Sequence, residues 1–590
     1  MSESPVKLLN SPYGEVAYED FRRLNRAFAD KSGIIEFLDS DGMTLYPVLL
    51  RPRRFGKSTF VHMLKCFYDI SYGDRYEELF SGTSIYGKNL ERHNTYHVVN
   101  FDFSGIYGKD LDNLIDDFNG AIESGILDFM GRYPDFVFNP SDNDRKSPSV
   151  FIKAFFNSFK KYSGRKSLYV MIDEYDHFAN ELLSENMEMF RTITRSQGFL
   201  KSFYANIKAY ASSLVAKTFI TGVSSVSLDS LTSGFNISLN VTSRECFNNY
   251  AGLTEDELKK IIPQLVDLKK IGATADEIIS RMKPVYDGYC FSRQAKNTVF
   301  NSSMCLYYLN EMSCANALIS PEDYLDPASD HDGSKLRQLF VMAEDDLADK
   351  VINGYLEGKT FYTPKLAQNI NLNSATNKTD RYDENQLLSM LYYLGYLTID
   401  PDLSKNDRLA LKIPNLFMSK LFAGCAVDLK LKSNRLFRKQ GLDVSSLLAV
   451  SDDISSFARS CTEFLSSIFT NQVLFHMSEM ALNLVLHAKL VSTSDVYAEM
   501  QKSIRIPAAG EKYADLVVTV NDGTENECVY LMELKYAAKK EATDSKIESL
   551  KKEATEQARS YRSALEFKGR RIKAYAMIFS GPECVCCAQA

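Results

Sequence analysis

Apolar residues along this chain follow rhythms that change in blocks. Short unbroken apolar runs occur at Val48-Leu49-Leu50, at Leu168-Tyr-Val-Met-Ile172 and in Lys217-Thr-Phe-Ile-Thr-Gly-Val-Ser224. Tyr96-His-Val-Val-Asn-Phe-Asp-Phe-Ser104 is a similar run that ends in polar residues. Runs of this length read as strands buried on both faces, as in a parallel sheet. Helix-period segments lie between them. Residues 16–38 carry Phe21, Leu24, Phe28, Ile35, Phe37 and Leu38, with a break at Asp30-Lys-Ser-Gly33. Phe60, Met63, Leu64 and Phe67 share one face after Ser58, and residues 109–163 are helical around a polar loop at Asn139 to Pro148. The alternation predicts an α/β domain with a mainly parallel, helix-covered sheet.

Residues 254–440 read as predominantly helical. Thr254-Glu-Asp-Glu257 opens one helix with a capping-box pattern. Pro284-Val-Tyr-Asp-Gly-Tyr-Cys-Phe291 is a glycine turn flanked by aromatics, which serves packing or function equally well. Leu391 to Ile399, followed by Arg408 to Pro414, predicts a helix and then a strand pair, the order of a winged helix packed on its neighbour as a lid. After Ser445 the pattern resets. Phe457 to Phe469 and Val473 to Leu490 predict amphipathic helices, Lys512 to Val520 and Cys528 to Tyr536 a hairpin across the turn Asn521-Asp-Gly-Thr-Glu-Asn, and Ile547 to Leu565 a further helix.

At 590 residues the chain exceeds one hydrophobic core, and two to four domains are expected. Net charge is −7, so bulk charge gives no argument for nucleic-acid binding and any such contact needs a local basic patch. No apolar run is long enough to span a membrane, and the N-terminus lacks a charged-then-apolar signal pattern. Eleven scattered cysteines, such as Cys66 and Cys305 in apolar patterns, read as buried thiols of a reducing compartment, so an intracellular protein, cytoplasmic or nuclear and not secreted, is expected. Cys584-Val-Cys-Cys587 reads as a closing strand, although Cys587-Ala-Gln-Ala590 also fits a prenylation pattern loosely.

The chemistry begins at Arg51-Pro52-Arg53-Arg54-Phe55-Gly56-Lys57-Ser58-Thr59. A strand precedes it and a helix follows, which is the context of a phosphate-binding loop. Free N–H groups at the helix start would face phosphates, Lys57 would reach the β- and γ-phosphates, and Ser58 would hold Mg²⁺. The usual first glycine is Arg51 here, and a surface loop reading Gly-Lys-Ser by chance is the alternative. Downstream, the strand Leu168 to Ile172 delivers Asp173 and Glu174 at its C-terminal end, where ligands of open α/β sheets sit. Asp173 is suited to the Mg²⁺ shell and Glu174 to orienting or deprotonating an attacking water. The strand ending at Ser224 is suited to sensing the γ-phosphate, with Ser225 to Ile237 as a loop beside the nucleotide.

Phe28 to Leu38, Leu50-Arg-Pro-Arg-Arg-Phe-Gly-Lys-Ser58, Ile172-Asp-Glu-Tyr-Asp176 and Thr221 to Asn236 resemble the AAA-ATPase-like family. In that family the arginine-bearing loop is the normal form. The resemblance implies a P-loop ATPase core and a C-terminal nuclease-like domain of the PD-(D/E)XK superfamily. It divides the chain into a P-loop domain at 1–250, a helical lid with a winged helix at 251–440 and an α/β restriction-endonuclease-like domain at 441–590.

In the C-terminal part, Glu533 and Lys535 share a strand face and Asp515 lies on the neighbouring strand. Two carboxylates for a divalent cation and a lysine beside the attacking water make a phosphodiester-cleaving site. The spacing resembles the PD-(D/E)XK core, and by that resemblance Glu479 matches the acid of its first helix and Gln557 a polar residue after the core. Lys539 to Lys573 is locally basic, with Arg570, Arg571 and Lys573 the better phosphate candidates.

The expected protein binds and hydrolyses ATP with Mg²⁺. Its nuclease domain acts on nucleic acid (DNA or RNA) under control of the nucleotide. An ATP-dependent signalling switch or scaffold, with a nuclease-like domain that only binds nucleic acid or protein, is the alternative. A homo-oligomer is allowed but not required, and no integral membrane association is expected.

Overall fold

The strand Pro47–Leu50 (β1) carries only apolar residues and is buried along its whole length. It sits within a five-stranded sheet with β2 (His97–Asp102), β3 (Leu168–Asp173), β4 (Val215–Gly222) and β5 (Leu239–Asn240), in the order β2-β3-β4-β1-β5. Every pairing in this sheet is parallel. The computed structural model describes residues 8–590 apart from 89–90, 108–109, 186–197, 226–233, 322–329, 345, 369–380, 406, 434–441, 494–495, 508–509 and 540. Most of the expected loop from Ser225 to Ile237 therefore lies outside the described residues.

Two units make up the chain. One comprises residues 1–327, 342–344 and 362–415, and the other residues 328–341, 345–361 and 416–590. In the first, helices Lys57–Tyr68, Leu111–Arg132 and Pro148–Ser163 belong to the crossovers of the parallel sheet. Ser147 caps the last of these, with Pro148 at its first position, and Gly164 ends it at φ +65°. Thr254 and Glu257 form the expected capping box on Glu255–Leu265. Helix Glu384–Tyr393 leads into the antiparallel pair β7 (Thr398–Ile399) and β8 (Leu409–Lys412), which with β6 (Phe361–Thr363) form a small three-stranded sheet. The helix and strand pair expected of the winged segment are present.

The second unit holds a mixed sheet in the order β13-β12-β11-β10-β9: Val496–Ile506 (β9), Gly510–Val520 (β10), Cys528–Tyr536 (β11), Ile572–Ser580 (β12) and Glu583–Gln589 (β13). Only β11 and β12 run parallel, with helix Asp544–Tyr561 between them in sequence. The hairpin and the closing cysteine strand match expectation, whereas β9 was not anticipated. The helix expected from Val473 to Leu490 is two helices, Asn471–His476 and Glu479–Val491, with Ser478 capping the second. That break puts Glu479 in a helix's first turn, where a carboxylate is favoured by the helix dipole.

All eleven cysteines are free thiols. Among the described residues, no helix is long and apolar enough to cross a membrane.

Candidate active sites

In the parallel sheet, β4 lies between β1 and β3, so the loop after β1 and the acids ending β3 stand two strands apart at the same sheet edge. That is about 10 Å of sheet, a gap two side chains can close. They close it. Lys57 Nζ lies 3.2 Å from Glu174 Oε1, and the Pro52 carbonyl accepts from Lys57 at 3.3 Å. The Ser58 hydroxyl donates to Asp173. The loop bends through Arg54 at φ +69° and Gly56 at φ +85°, and Glu174 itself sits at φ +52°. A left-handed glutamate is an uncommon, strained conformation, and such residues cluster at functional sites.

Burial pushes the Asp173 carboxyl up to about 7, and the neighbouring Glu174 charge adds to it. Burial works to raise Glu174, but Lys57, together with Arg53 and His177, holds that carboxyl below its ordinary value. One acid of the pair is thus held charged beside the loop lysine, and the other is held towards its neutral form by burial and by its neighbour's charge.

Arg51 has a different place from its neighbours. Its side chain is buried, donating to the carbonyls of Leu50 at 2.7 Å, Thr242 at 3.1 Å and Phe247 at 2.7 Å. The guanidinium lies against the rings of Tyr250 and Phe291. Only its backbone remains for a nucleotide; its side chain holds the loop's shape. Phe55 packs edge-on against Tyr289 and Phe291, so the aromatic turn at 284–291 serves packing of the loop. Arg53 reaches Glu181 on helix His177–Glu185 at 2.6 Å. Gly56 and Thr59 border a cavity of about 140 Å³ lined mainly by apolar side chains, among them Phe28, Phe60, Met63 and Leu306.

The expected γ-phosphate sensors are otherwise engaged. Thr221 donates its hydroxyl to Leu49 O at 2.8 Å, and Ser224 to Asp176 at 2.7 Å and Asn180 at 2.9 Å. Asp176, wholly buried, also accepts from the N–H groups of Val223 and Ser224, which pins the end of β4 to β3.

In the second unit, Asp515 and Glu533 lie on adjacent strands and are 8% and 3% exposed. Asp515 accepts from Leu534 N at 2.9 Å and from Gln501 Nε2 at 2.6 Å. Glu533 accepts from Lys535 Nζ at 2.9 Å and from the Tyr561 hydroxyl at 2.7 Å. Glu479 joins them across the helix–sheet interface, 3.4 Å from Lys535 Nζ and accepting from Tyr536 N at 3.1 Å. Burial, then the Asp515 charge, pushes Glu533 up to about 7; burial likewise raises Asp515. Lys535 is pushed down by burial but held well above its ordinary value by Glu533 and Glu479.

Four of the five sequence-expected residues here are brought together. Gln557 is on the helix that supplies Tyr561, one turn earlier, and its buried Oε1 has no partner among the described residues. Two contributors escaped the sequence reading. Gln501 belongs to the unanticipated strand β9, at φ +49° opposite Asp515, and Tyr561 lies on the helix of the locally basic stretch. Of the phosphate candidates, Arg570 and Arg571 are exposed, whereas Lys573 turns inward. Arg570 pairs with Glu527 at 2.6 Å, and Lys573, 6% exposed, donates to the carbonyls of Val450 and Ser451 at 2.8 Å. Lys540 is outside the described residues.

Residues 12–232 match the AAA-ATPase-like family, described as a predicted AAA-ATPase, and residues 508–589 match the PD-(D/E)XK nuclease superfamily. No curated protein matches the chain.

Proposed function

We propose that this chain, which carries one domain of the AAA-ATPase-like family and one of the PD-(D/E)XK nuclease superfamily, hydrolyses ATP and cleaves nucleic acid, the nucleotide state gating the cleavage. At the N-terminal site, backbone N–H groups from Arg51 to Thr59 would cradle the phosphates and Lys57 would pair with them once Glu174 lets go. The apolar cavity beside Gly56 and Thr59 suits a nucleobase. Ser58 and Asp173 fit Mg²⁺: a hydroxyl and a buried carboxylate are hard oxygen donors. Glu174, released from Lys57, would orient or accept a proton from water.

At the C-terminal site, Asp515 and Glu533 would hold Mg²⁺. They are two buried carboxylates, and Asp515 raises the Glu533 carboxyl, which is the electrostatic demand a divalent cation meets. Bound there, Mg²⁺ would polarise the scissile phosphate. Lys535 would position the water, Glu479 would fix Lys535, and Gln557 would supply a polar contact from the neighbouring helix. The carrying observation is the convergence of Glu479, Glu533 and Lys535, with Lys535 bonded to both acids.

The second reading, a nucleotide switch or scaffold whose nuclease-like domain only binds, has one observation in its favour: among the described residues, no three His, Cys, Asp or Glu side chains form a ready metal cluster. The two readings part in one experiment. Plasmid DNA and single-stranded RNA are incubated with Mg²⁺, with and without ATP, using wild type, Lys57→Ala and the Glu533→Ala, Lys535→Ala double variant. Cleavage lost in the double variant and altered by ATP or Lys57→Ala supports the gated nuclease. ATP turnover without cleavage of either substrate supports the switch.

A further inference from the structure

The loop's arginines are spent differently. Arg51 is consumed by three backbone carbonyls. Arg53 is paired with Glu181 Oε1 at 2.6 Å, and its side chain remains one-third exposed. Its guanidinium also lies within electrostatic reach of Glu174 and Asp176. Glu174 in turn neutralises Lys57 at 3.2 Å. The same carboxylate is therefore the neighbour of two loop cations. Paired with Lys57, Glu174 stands where phosphate charge must enter if Lys57 is to bind it. Arg53 stands beside that point, anchored to a residue on the next helix.

We propose that Arg53 reads the third phosphate: paired with Glu181 in this structure, it turns to the terminal phosphate of a nucleoside triphosphate and makes the site favour triphosphate over diphosphate. This rests on the nucleotide-site reading above. Guanidinium forms two-pronged hydrogen bonds to phosphate as readily as to carboxylate, so exchanging Glu181 for phosphate keeps the same bond geometry. Water can take over part of the Arg53 side of the pair, which is one-third exposed, while the carboxylate is left at a more buried position, 18% exposed. A diphosphate bound at Lys57 brings no terminal group to compete for Arg53, and the arginine stays with Glu181.

The test is equilibrium titration of the full chain with ATP and with ADP, in Mg²⁺, for wild type, Arg53→Gln, Arg53→Lys, Glu181→Gln and Lys57→Ala. Arg53→Gln weakens ATP binding by about tenfold, the worth of one hydrogen bond to a charged group, and leaves ADP binding within about twofold. Arg53→Lys restores part of the ATP affinity. Glu181→Gln frees the arginine and tightens ATP binding without changing that of ADP. Arg53→Gln weakening both nucleotides equally would mean a role in loop shape alone and would overturn the proposal, as would an unchanged ATP-to-ADP ratio in Arg53→Gln or Glu181→Gln. If Lys57→Ala binds both nucleotides as wild type does, the nucleotide site itself is misassigned and both readings fall. If Lys57→Ala loses binding while the Arg53 variants keep the wild-type ratio, only this one does.

Discussion

The guanidinium of Arg51 lies 4.0 Å from the ring centroid of Phe291, in a turn 240 residues further along the chain. Where phosphate loops usually begin with a glycine, this one begins with a buried cation that ties the loop to Thr242, Phe247 and the aromatic turn. Arg51→Met keeps much of the side-chain bulk but strips hydrogen bonds from three carbonyls. Leaving buried carbonyls without donors costs about 1–3 kcal/mol each, so a loss of at least about 3 kcal/mol is expected. Urea unfolding followed by a probe in the N-terminal unit should show its midpoint falling well below wild type. An unchanged midpoint would remove Arg51 from the fold's support.

The other face of the loop is closed by Gly395, whose φ is +87° and where an added Cβ would come 2.9 Å from Pro52 Cβ. Gly395→Ala should therefore both strain the backbone and press on the loop, costing about 1–3 kcal/mol. Gly82 separates the two effects: its φ is +77° and nothing lies within 4 Å of an added Cβ. Gly82→Ala should lose stability with ATP affinity intact, and Gly395→Ala should lose both. Equal ATP affinity in the two variants would show that Pro52 is not coupled to the loop's phosphate-binding conformation.

Much of this architecture was readable from local pattern. Leu168 to Ile172 is apolar without a break because it belongs to a central strand covered on both faces, and the burial of that strand is complete. The loop at 51–59 and the hairpin at 512–536 were legible for the same reason: their signals are contiguous. What failed were features set by residues far apart. Arg51 read as a phosphate-loop position, and only Thr242, Phe247 and Phe291 reveal its inward role. Strand β9 mixes Glu499, Gln501, Lys502 and Arg505 into its alternation, which blurs a strand pattern. Arg570 and Lys573 looked available because their partners, Glu527 and the carbonyls of Val450 and Ser451, lie 43 residues or more away.

His487 makes the C-terminal unit sensitive to acid. Burial, assisted by the Lys420 charge on helix Leu416–Ser433, pushes its imidazole down to about 4, although the Ala498 carbonyl favours the protonated ring. A group with a depressed folded pKa whose neutral form is the one accommodated stabilises the fold above the unfolded value near 6.5. That contribution declines as pH falls from about 6.5 towards 4, because the unfolded chain takes up a proton that the folded one refuses. At pH 5 the loss reaches about 2 kcal/mol. Denaturation midpoints of the C-terminal unit at pH 7 and pH 5 should differ by more in wild type than in His487→Gln. Parallel pH dependences would assign the acid sensitivity elsewhere.

Tyr561 offers the sharpest test of the C-terminal site, because its hydroxyl is bonded to Glu533 at 2.7 Å and no local pattern singles it out. The same oxygen lies 3.1 Å from the Tyr513 carbonyl, and a hydroxyl has one proton, so donation to Glu533 competes with donation to the backbone. Tyr561→Phe takes a donor from a carboxylate that burial and Asp515 already hold near 7. Glu533 becomes harder to ionise and less well oriented. Partners of metal-holding carboxylates typically contribute tenfold or more, so cleavage at limiting Mg²⁺ should fall by about tenfold and recover in part as Mg²⁺ is raised. Tyr530→Phe is the control: its buried hydroxyl donates to the Leu447 carbonyl at 3.1 Å, away from the acids. Both variants should lose about 1 kcal/mol of stability. Only Tyr561→Phe should show the Mg²⁺-dependent loss of cleavage, and equal cleavage by the two would exclude Tyr561 from the site's chemistry.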